Sequence, residues 1–388
     1  MFRSAVLFFA LLVALLSTTV TNAQEPATIT VQKGAQLFAH IAGISGSDGA
    51  SATNILTNDL TLSGAFTVGA ADTANFTISG TSSGSSLQGS VVDRSGNSVL
   101  EKTYSGDRRQ IVHQFADDIV ETITGLPGFA TTKIAFVANN SGRKEIYTAD
   151  YDGANVRQLT RDRSISVSPA LSPDGSTLLY TGYQSGYADI YRIDLGNGAR
   201  NRIVKSPGTN SGASFAPGGG SFAATLSKDG NPELYLIGLG GGGGRRLTNT
   251  RASETSPSFS PDGDEIVYSF DNGGQPQLYR ISARGGTGSR ISTGFGYCTE
   301  PSWSPDGKKI AFNVRSSGNF AVAVLNLGSG SARIATSGSD AEDPIWTRNS
   351  RHLYFAQDSA LYLLDTQNGK KTRIISGLGK ISEPTASR

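Results

Sequence analysis

The chain has 388 residues, 34 Lys and Arg against 32 Asp and Glu, and a net charge of +2. Basic residues spread among carboxylates at that balance lack the electrostatic footprint of a nucleic-acid binder. The single cysteine, Cys298, excludes an intrachain disulfide; with no histidine near it in sequence it reads as a semi-buried thiol rather than a nucleophile.

Residues 1–23 carry Arg3, an apolar run from Ala5 to Leu16 and a small-residue exit at Thr21-Asn22-Ala23. The run is too short to span a bilayer, so it is expected to be a secretory signal cleaved near Ala23. No cysteine follows the exit, so a soluble exported product is expected rather than a lipid-anchored one.

Residues 24–130 are expected to form a small α/β domain. Thr28–Val31 and Gln36–Ile41 read as strands, and Ala52–Leu60 as a short helix with Ser51 as N-cap. Strands are expected between Phe76 and Tyr104, around a polar loop at 80–86. From Asp107 to Thr124, Ile111, Val112, Phe115, Ile119, Val120 and Ile123 form one apolar stripe at helical spacing, ended by Gly125 and Pro127. His113 lies off that stripe, which predicts a solvated or interdomain side chain. Gly80-Thr81-Ser82-Ser83-Gly84 matches the hydrolase nucleophile-elbow pattern by letters, but its low-complexity surroundings offer neither the required helix nor a late catalytic histidine.

From residue 131 to 388 a repeat takes over. Ser168-Pro169-Ala170-Leu171-Ser172-Pro173-Asp174-Gly175 recurs around Pro261 and Pro305, and in degraded form around Pro217 and Pro344. Pro173, Pro217, Pro261 and Pro305 are spaced 44 residues apart. Each Pro-Asp-Gly presets a tight turn: proline fixes φ, aspartate bonds its own backbone, and glycine takes positive φ. Apolar strands follow each turn (Leu178–Tyr180, Ile266–Tyr268, Ile310–Phe312), then a third and a fourth strand. Four strands in about 44 residues is the period of a propeller blade. Lys133–Val137 resembles a second strand with no first strand before it, and Glu383–Arg388 a first strand with nothing after it. Joining them predicts a mainly β chain: a six-bladed β-propeller closed by its C-terminal strand and preceded by a small α/β domain. Gly238–Gly243 joins two blade strands and reads as a flexible turn rather than a dinucleotide loop.

The residues before the first-strand prolines are Ser168, Ser256, Glu300, Asp343 and Glu383. Equivalent positions in a propeller converge at one mouth of the channel, so three carboxylates on adjacent blades predict a negative sector, with Cys298 and Thr299 beside it. Each carboxylate could cap its own turn or pair with an arginine. The sector could instead dock a partner's basic or amide groups, or hold a cation such as Ca²⁺. No Cys/His cluster of zinc spacing is present, and no metal or other cofactor is assigned.

The order of segments, together with Asn58-Asp59-Leu60, Ser63-Gly64-Ala65-Phe66, Arg109 to Ile119, Leu126-Pro127-Gly128-Phe129 and Lys133–Val137, resembles the TolB family, periplasmic components of the Tol-Pal envelope system. The resemblance implies a non-enzymatic, monomeric periplasmic scaffold that supports outer-membrane integrity and constriction at division. It implies binding of the lipoprotein Pal at the channel mouth (Glu300, Asp343, Glu383, Ser256, Ser168, Thr299). It also implies binding of TolA, among other Tol proteins, by the mature N-terminus (Gln24, Glu25, Thr28, Ile29, Thr30, Val31), and contact with membranes only through partners. The residues leave a second reading open, an exported propeller enzyme such as a polysaccharide lyase or hydrolase using the mouth carboxylates.

Overall fold

The computed structural model describes residues 37–388 apart from Ser141 and Ser339. The signal segment, the strand expected at Thr28–Val31 and the N-terminal partner segment lie outside the described residues.

The first layer is a five-stranded sheet: β1 (Leu37–Ser45), β2 (Phe66–Val68), β3 (Phe76–Ser82), β4 (Ser86–Asp93) and β5 (Ser98–Ser105), in the order β2-β1-β3-β4-β5. β1 runs parallel to β2 and β3, and the remaining pairs are antiparallel. Two helices, α1 (Gly49–Leu62) and α2 (Arg108–Thr124), pack on each other and on this sheet. Helix α2 starts where Asp107 accepts the N–H groups of Arg109 and Gln110, and ends at Gly125 in the left-handed region, φ 69°. The ring of Phe115 packs so closely on β4 that a Cβ at Gly89 would lie 2.5 Å from it, which is why that strand position needs glycine.

Two local expectations are corrected. Helix α1 begins at Gly49, so Ser51 lies inside its first turn rather than capping it. The polar loop shrinks to residues 83–85, because Gly80, Thr81 and Ser82 pair with β4 as the end of β3. A strand therefore follows Gly80–Gly84 where a hydrolase elbow needs a helix.

The remainder is a ring of six four-stranded sheets among the described residues. Blade 2 comprises Ser166–Leu171, Thr177–Gly182, Asp189–Asp194 and Arg200–Val204; blade 3 is built from Asn210–Phe215, Ser221–Leu226, Glu233–Gly238 and Arg245–Arg246. Blade 4 contains Ser253–Phe259, Glu265–Asp271, Gln277–Ser282 and Ser289–Arg290; blade 5 contains Cys298–Trp303, Lys309–Ser316, Asn319–Asn326 and Ser331–Ile334. Blade 6 spans Glu342–Trp346, His352–Gln357, Ala360–Asp365 and Lys371–Ile375. Blade 1 combines Ile381–Ala386 with Lys133–Ala138, Glu145–Asp150 and Arg157–Gln158. Its closing register sets Ile381 opposite Ala138 and Ala386 opposite Ile134, and the Ser387 N–H donates to the Lys133 carbonyl at 2.9 Å. Closure pairs the strand edges that an open sheet would expose.

The turns form as their residues dictate. The Gly175 N–H donates to the Ser172 carbonyl at 2.9 Å, and Asp174 accepts the Ser172 hydroxyl and the Ser176 N–H. Ser260/Asp262 and Ser304/Asp306 repeat the arrangement.

The small domain and the propeller share one apolar core, running from Leu56, Ile111 and Phe115 through Phe129 to Phe136, Tyr151 and Tyr354. A polar cluster is embedded in it. Asp59 accepts from His113 Nδ1 at 2.7 Å and from the Tyr151 hydroxyl of blade 1 at 2.6 Å, and Tyr354 of blade 6 donates to the Tyr151 carbonyl at 2.7 Å. His113 is 4% exposed, so the solvated alternative is wrong and the interdomain one holds: the face of α2 beside its stripe is covered by the propeller. Arg109 ties the same helix to Asp150 at 2.9 Å and to Asp152.

Candidate functional site

The first strand of every blade bends at one equivalent position, which precedes a proline in five blades and Ala213 in blade 3. Ser168, Gly212, Ser256, Glu300, Asp343 and Glu383 have φ of 51°, 63°, 53°, 50°, 58° and 54°. The pairing with the second strand shifts register at each of these points. These are β-bulges, one per blade, and five of the six hold a side-chain-bearing residue in a region that costs it on the order of 1–2 kcal/mol. The bulge re-aims each residue and frees its N–H from the ladder.

Five of those N–H groups find acceptors on the preceding blade. Glu383 N–H donates to Asp343 at 2.7 Å, and Ser168 N–H to Glu383 at 2.6 Å. Asp343 N–H donates to Asn313 Oδ1 at 3.1 Å, Glu300 N–H to the Ser269 hydroxyl at 3.1 Å and Gly212 N–H to the Thr181 hydroxyl at 3.4 Å. The Asn313 side chain also donates to Glu300. The sequence-based alternatives of a carboxylate capping its own turn or pairing with arginine are thus both replaced. Asp343 and Glu383 bind the neighbouring blade's backbone, and the cation facing Glu383 is Lys144 at 3.6 Å.

All six bulge residues line one cavity of about 1000 Å³ at the channel mouth. Its walls divide by chemistry. Blades 5, 6 and 1 present Glu300, Glu342, Asp343 and Glu383; blades 2, 3 and 4 present Ser168, Gly212 and Ser256, with Ile165 and Tyr183 at the rim. Ile165 and Tyr183 are exposed, and nearby on blade 2 Tyr187 is 72% exposed. Burial, followed by the repulsion of Asp343, pushes the Glu300 carboxyl well above the usual carboxylate range. Burial and Asp343 likewise raise Glu383 and Glu342. Glu300, Glu342 and Glu383 therefore hold their protons more tightly than free carboxylates.

Not every expected mouth residue is there. Thr299 is not among the cavity-lining residues. Cys298 is fully buried, contacts the Thr293 hydroxyl at 3.2 Å, and burial pushes its thiol up. Both precede the bulge, which turns only Glu300 toward the channel. The lining also includes Lys144, Glu342 and Lys380, which sequence reasoning passed over. Glu342 could have been found as the neighbour of a bulge residue; Lys144 and Lys380 lie in connections that the repeat does not register. Among the described residues no group of three His, Cys, Asp or Glu side chains is arranged to hold a metal ion, so the Ca²⁺ reading gains no ligand set. His352, the latest histidine in the chain, is buried against Asn349 and Phe129, and burial pushes it down to about 4.

A family described as the TolB beta propeller domain matches residues 120–388. A protein TolB homolog of Chlorobaculum tepidum is 49% identical over 100 residues, 25% of this chain and 23% of that protein. The Tol-Pal system protein TolB of Geobacter sulfurreducens is 51% identical over 86 residues, 21% of this chain and 20% of that protein. The chain thus matches about a fifth to a quarter of the length of these curated relatives. A crystal structure of TolB from Acinetobacter baumannii superposes with a TM-score of 0.80 at 26% identity, covering 91% of this chain and 97% of that one. The chain belongs to the TolB β-propeller family.

Proposed function

We propose that this protein is a non-enzymatic periplasmic scaffold of the Tol-Pal system, which docks the lipoprotein Pal at the channel mouth and reaches TolA through the mature N-terminus. In this role it supports outer-membrane integrity and constriction at division, acting as a monomer that meets membranes only through its partners. The observation that carries the reading is the open, half-acidic cavity at the ring's mouth, lined by one bulge residue from each blade. Docking requires an exposed surface of fixed shape and complementary charge; six bulges, five of them tied to the preceding blade by hydrogen bonds, favour a fixed shape, and the acidic sector supplies the charge. An exported polysaccharide lyase or hydrolase would instead use the mouth's carboxylates and lysines as its acid and base, and turnover is what separates that reading from docking.

Co-purification from envelope extracts, combined with turnover assays on polysaccharide and peptide substrates, tests the reading. Recovery of Pal and TolA without turnover is the expected result. Turnover that disappears on replacing Glu300 or Asp343 overturns it.

A further inference from the structure

The seams between blades follow their own 44-residue pattern. At the start of the third strand stand Glu145, Asp189, Glu233 and Gln277; facing them, at the start of the next blade's first strand, are Ser166, Asn210, Glu254 and Cys298. Between blades 2 and 3 the pairing is a donor with an acceptor, Asn210 Nδ2 lying 3.4 Å from Asp189 Oδ1. Between blades 3 and 4 two carboxyl groups meet instead.

Glu233 and Glu254 are both fully buried. Glu233 Oε1 accepts from Arg246 at 2.8 Å, from the Thr250 N–H at 2.8 Å and from Asn231 at 3.2 Å. Glu254 Oε1 accepts from the Thr250 hydroxyl at 2.5 Å. Thr250 holds the two side chains side by side, its N–H on Glu233 and its hydroxyl on Glu254, and Oε2 of each is buried with no hydrogen-bond partner. Two carboxylates have acceptors only, so a bond between them requires a proton. The remaining titratable groups facing the pair are Asp229, Tyr235 and Arg246 from blade 3 and Tyr268 from blade 4. Asp229 already accepts the Tyr235 hydroxyl, and Arg246 lies 3.8 Å from it. One arginine thus serves two buried carboxyls, and charge balances only if one of them is neutral.

We propose that Glu254 carries a proton that it donates to Glu233, so that the seam between blades 3 and 4 is a proton-held latch that loosens when the pair loses that proton. Glu254 is the member that holds it. Burial, opposed by the Thr250 hydrogen bond and reinforced by Glu233, pushes Glu254 up to about 7. Glu233 stays below its ordinary value: burial opposes this, and the polar groups around it, Thr250 and Arg246 among them, outweigh it. The proton lost at higher pH goes to solvent and leaves two buried negative charges opposite one arginine. Glu254 also stands two residues from Ser256, so the latch sits on a strand that carries a mouth residue.

The sign follows from linkage. A carboxyl whose folded value is raised favours the folded state fully below its unfolded value, and that contribution is lost as pH rises through about 7. The test is unfolding of the full chain as wild type, Glu254→Gln and Glu254→Asn, the last copying the Asn210 seam, between about pH 6 and pH 8. Both amides donate without a titratable proton. Relative to either variant that folds, the wild-type folding equilibrium should fall roughly tenfold across that range. Wild-type and variant profiles that run parallel overturn the proposal.

Discussion

The acidic groups at the domain junction and at the channel mouth differ in what surrounds them. At the junction of the small domain and the propeller, Asp59 is enclosed by His113, Tyr151 and an apolar core, and each of its oxygens has a donor. At the channel mouth, Glu300, Asp343 and Glu383 also accept hydrogen bonds, but they face an open cavity and crowd one another. Burial raises Asp59 as it raises Glu300 and Glu383. A perturbed carboxyl therefore does not by itself mark a binding surface; access does. The enclosed cluster fixes how the domains meet, and the open one is where a partner can add contacts.

The largest effect that would break this division is on stability. Asp59→Ala leaves the His113 and Tyr151 polar groups without an acceptor inside the core and should cost about 3 kcal/mol in denaturant unfolding. Partner affinity of the folded fraction should not change. A loss of affinity larger than the loss of stability would mean that the junction and the mouth are one coupled site.

A second, intermediate effect is in pH. Asp59, Glu300 and Glu383 are all raised, so their contributions to stability are full below the ordinary carboxylate range and decline as pH rises. Binding of a basic partner group at the mouth should move the other way and strengthen as Glu300 and Glu383 lose their protons. Melting curves and affinities measured over the same pH series should therefore slope in opposite directions. Slopes of the same sign would contradict the assignment of charge to binding.

The smallest effect concerns the bulges. Ser256 holds φ 53° on the neutral side of the mouth. Ser256→Gly should relieve that strain and stabilise by about 0.5 kcal/mol, the gain being reduced by glycine's freedom in the unfolded chain. Destabilisation would show that the serine hydroxyl holds the bulge.

Much of the ring was legible because its signals are local and repeated. Pro173-Asp174-Gly175 specifies a turn wherever it occurs, and the orphan strand at Lys133 needs a partner that the C-terminal tail supplies. The bulges were not legible. Ser168, Glu300 and Glu383 have no shared side-chain preference for positive φ, and only their common place before a proline hinted at equivalence. His113 was half legible: a single apolar stripe on α2 describes the contact with the sheet but omits the second face that the propeller covers. Glu233 and Glu254 each read, taken singly, as an ordinary strand-edge acid. The 44-residue alignment with Asp189 and Asn210 carried the signal.

In the proposed function the acidic half of the mouth is the docking surface. Asp343→Asn removes one charge there but keeps an oxygen for the Glu383 N–H, so the fold should be retained. Calorimetric titration of the soluble domain of Pal into wild type and this variant tests it most directly. Saturable binding to the wild type and at least about a tenfold weaker association with the variant are expected, the scale for losing one side of a charge contact that docking buries. Equal affinity for both proteins, or no binding to either, would contradict it.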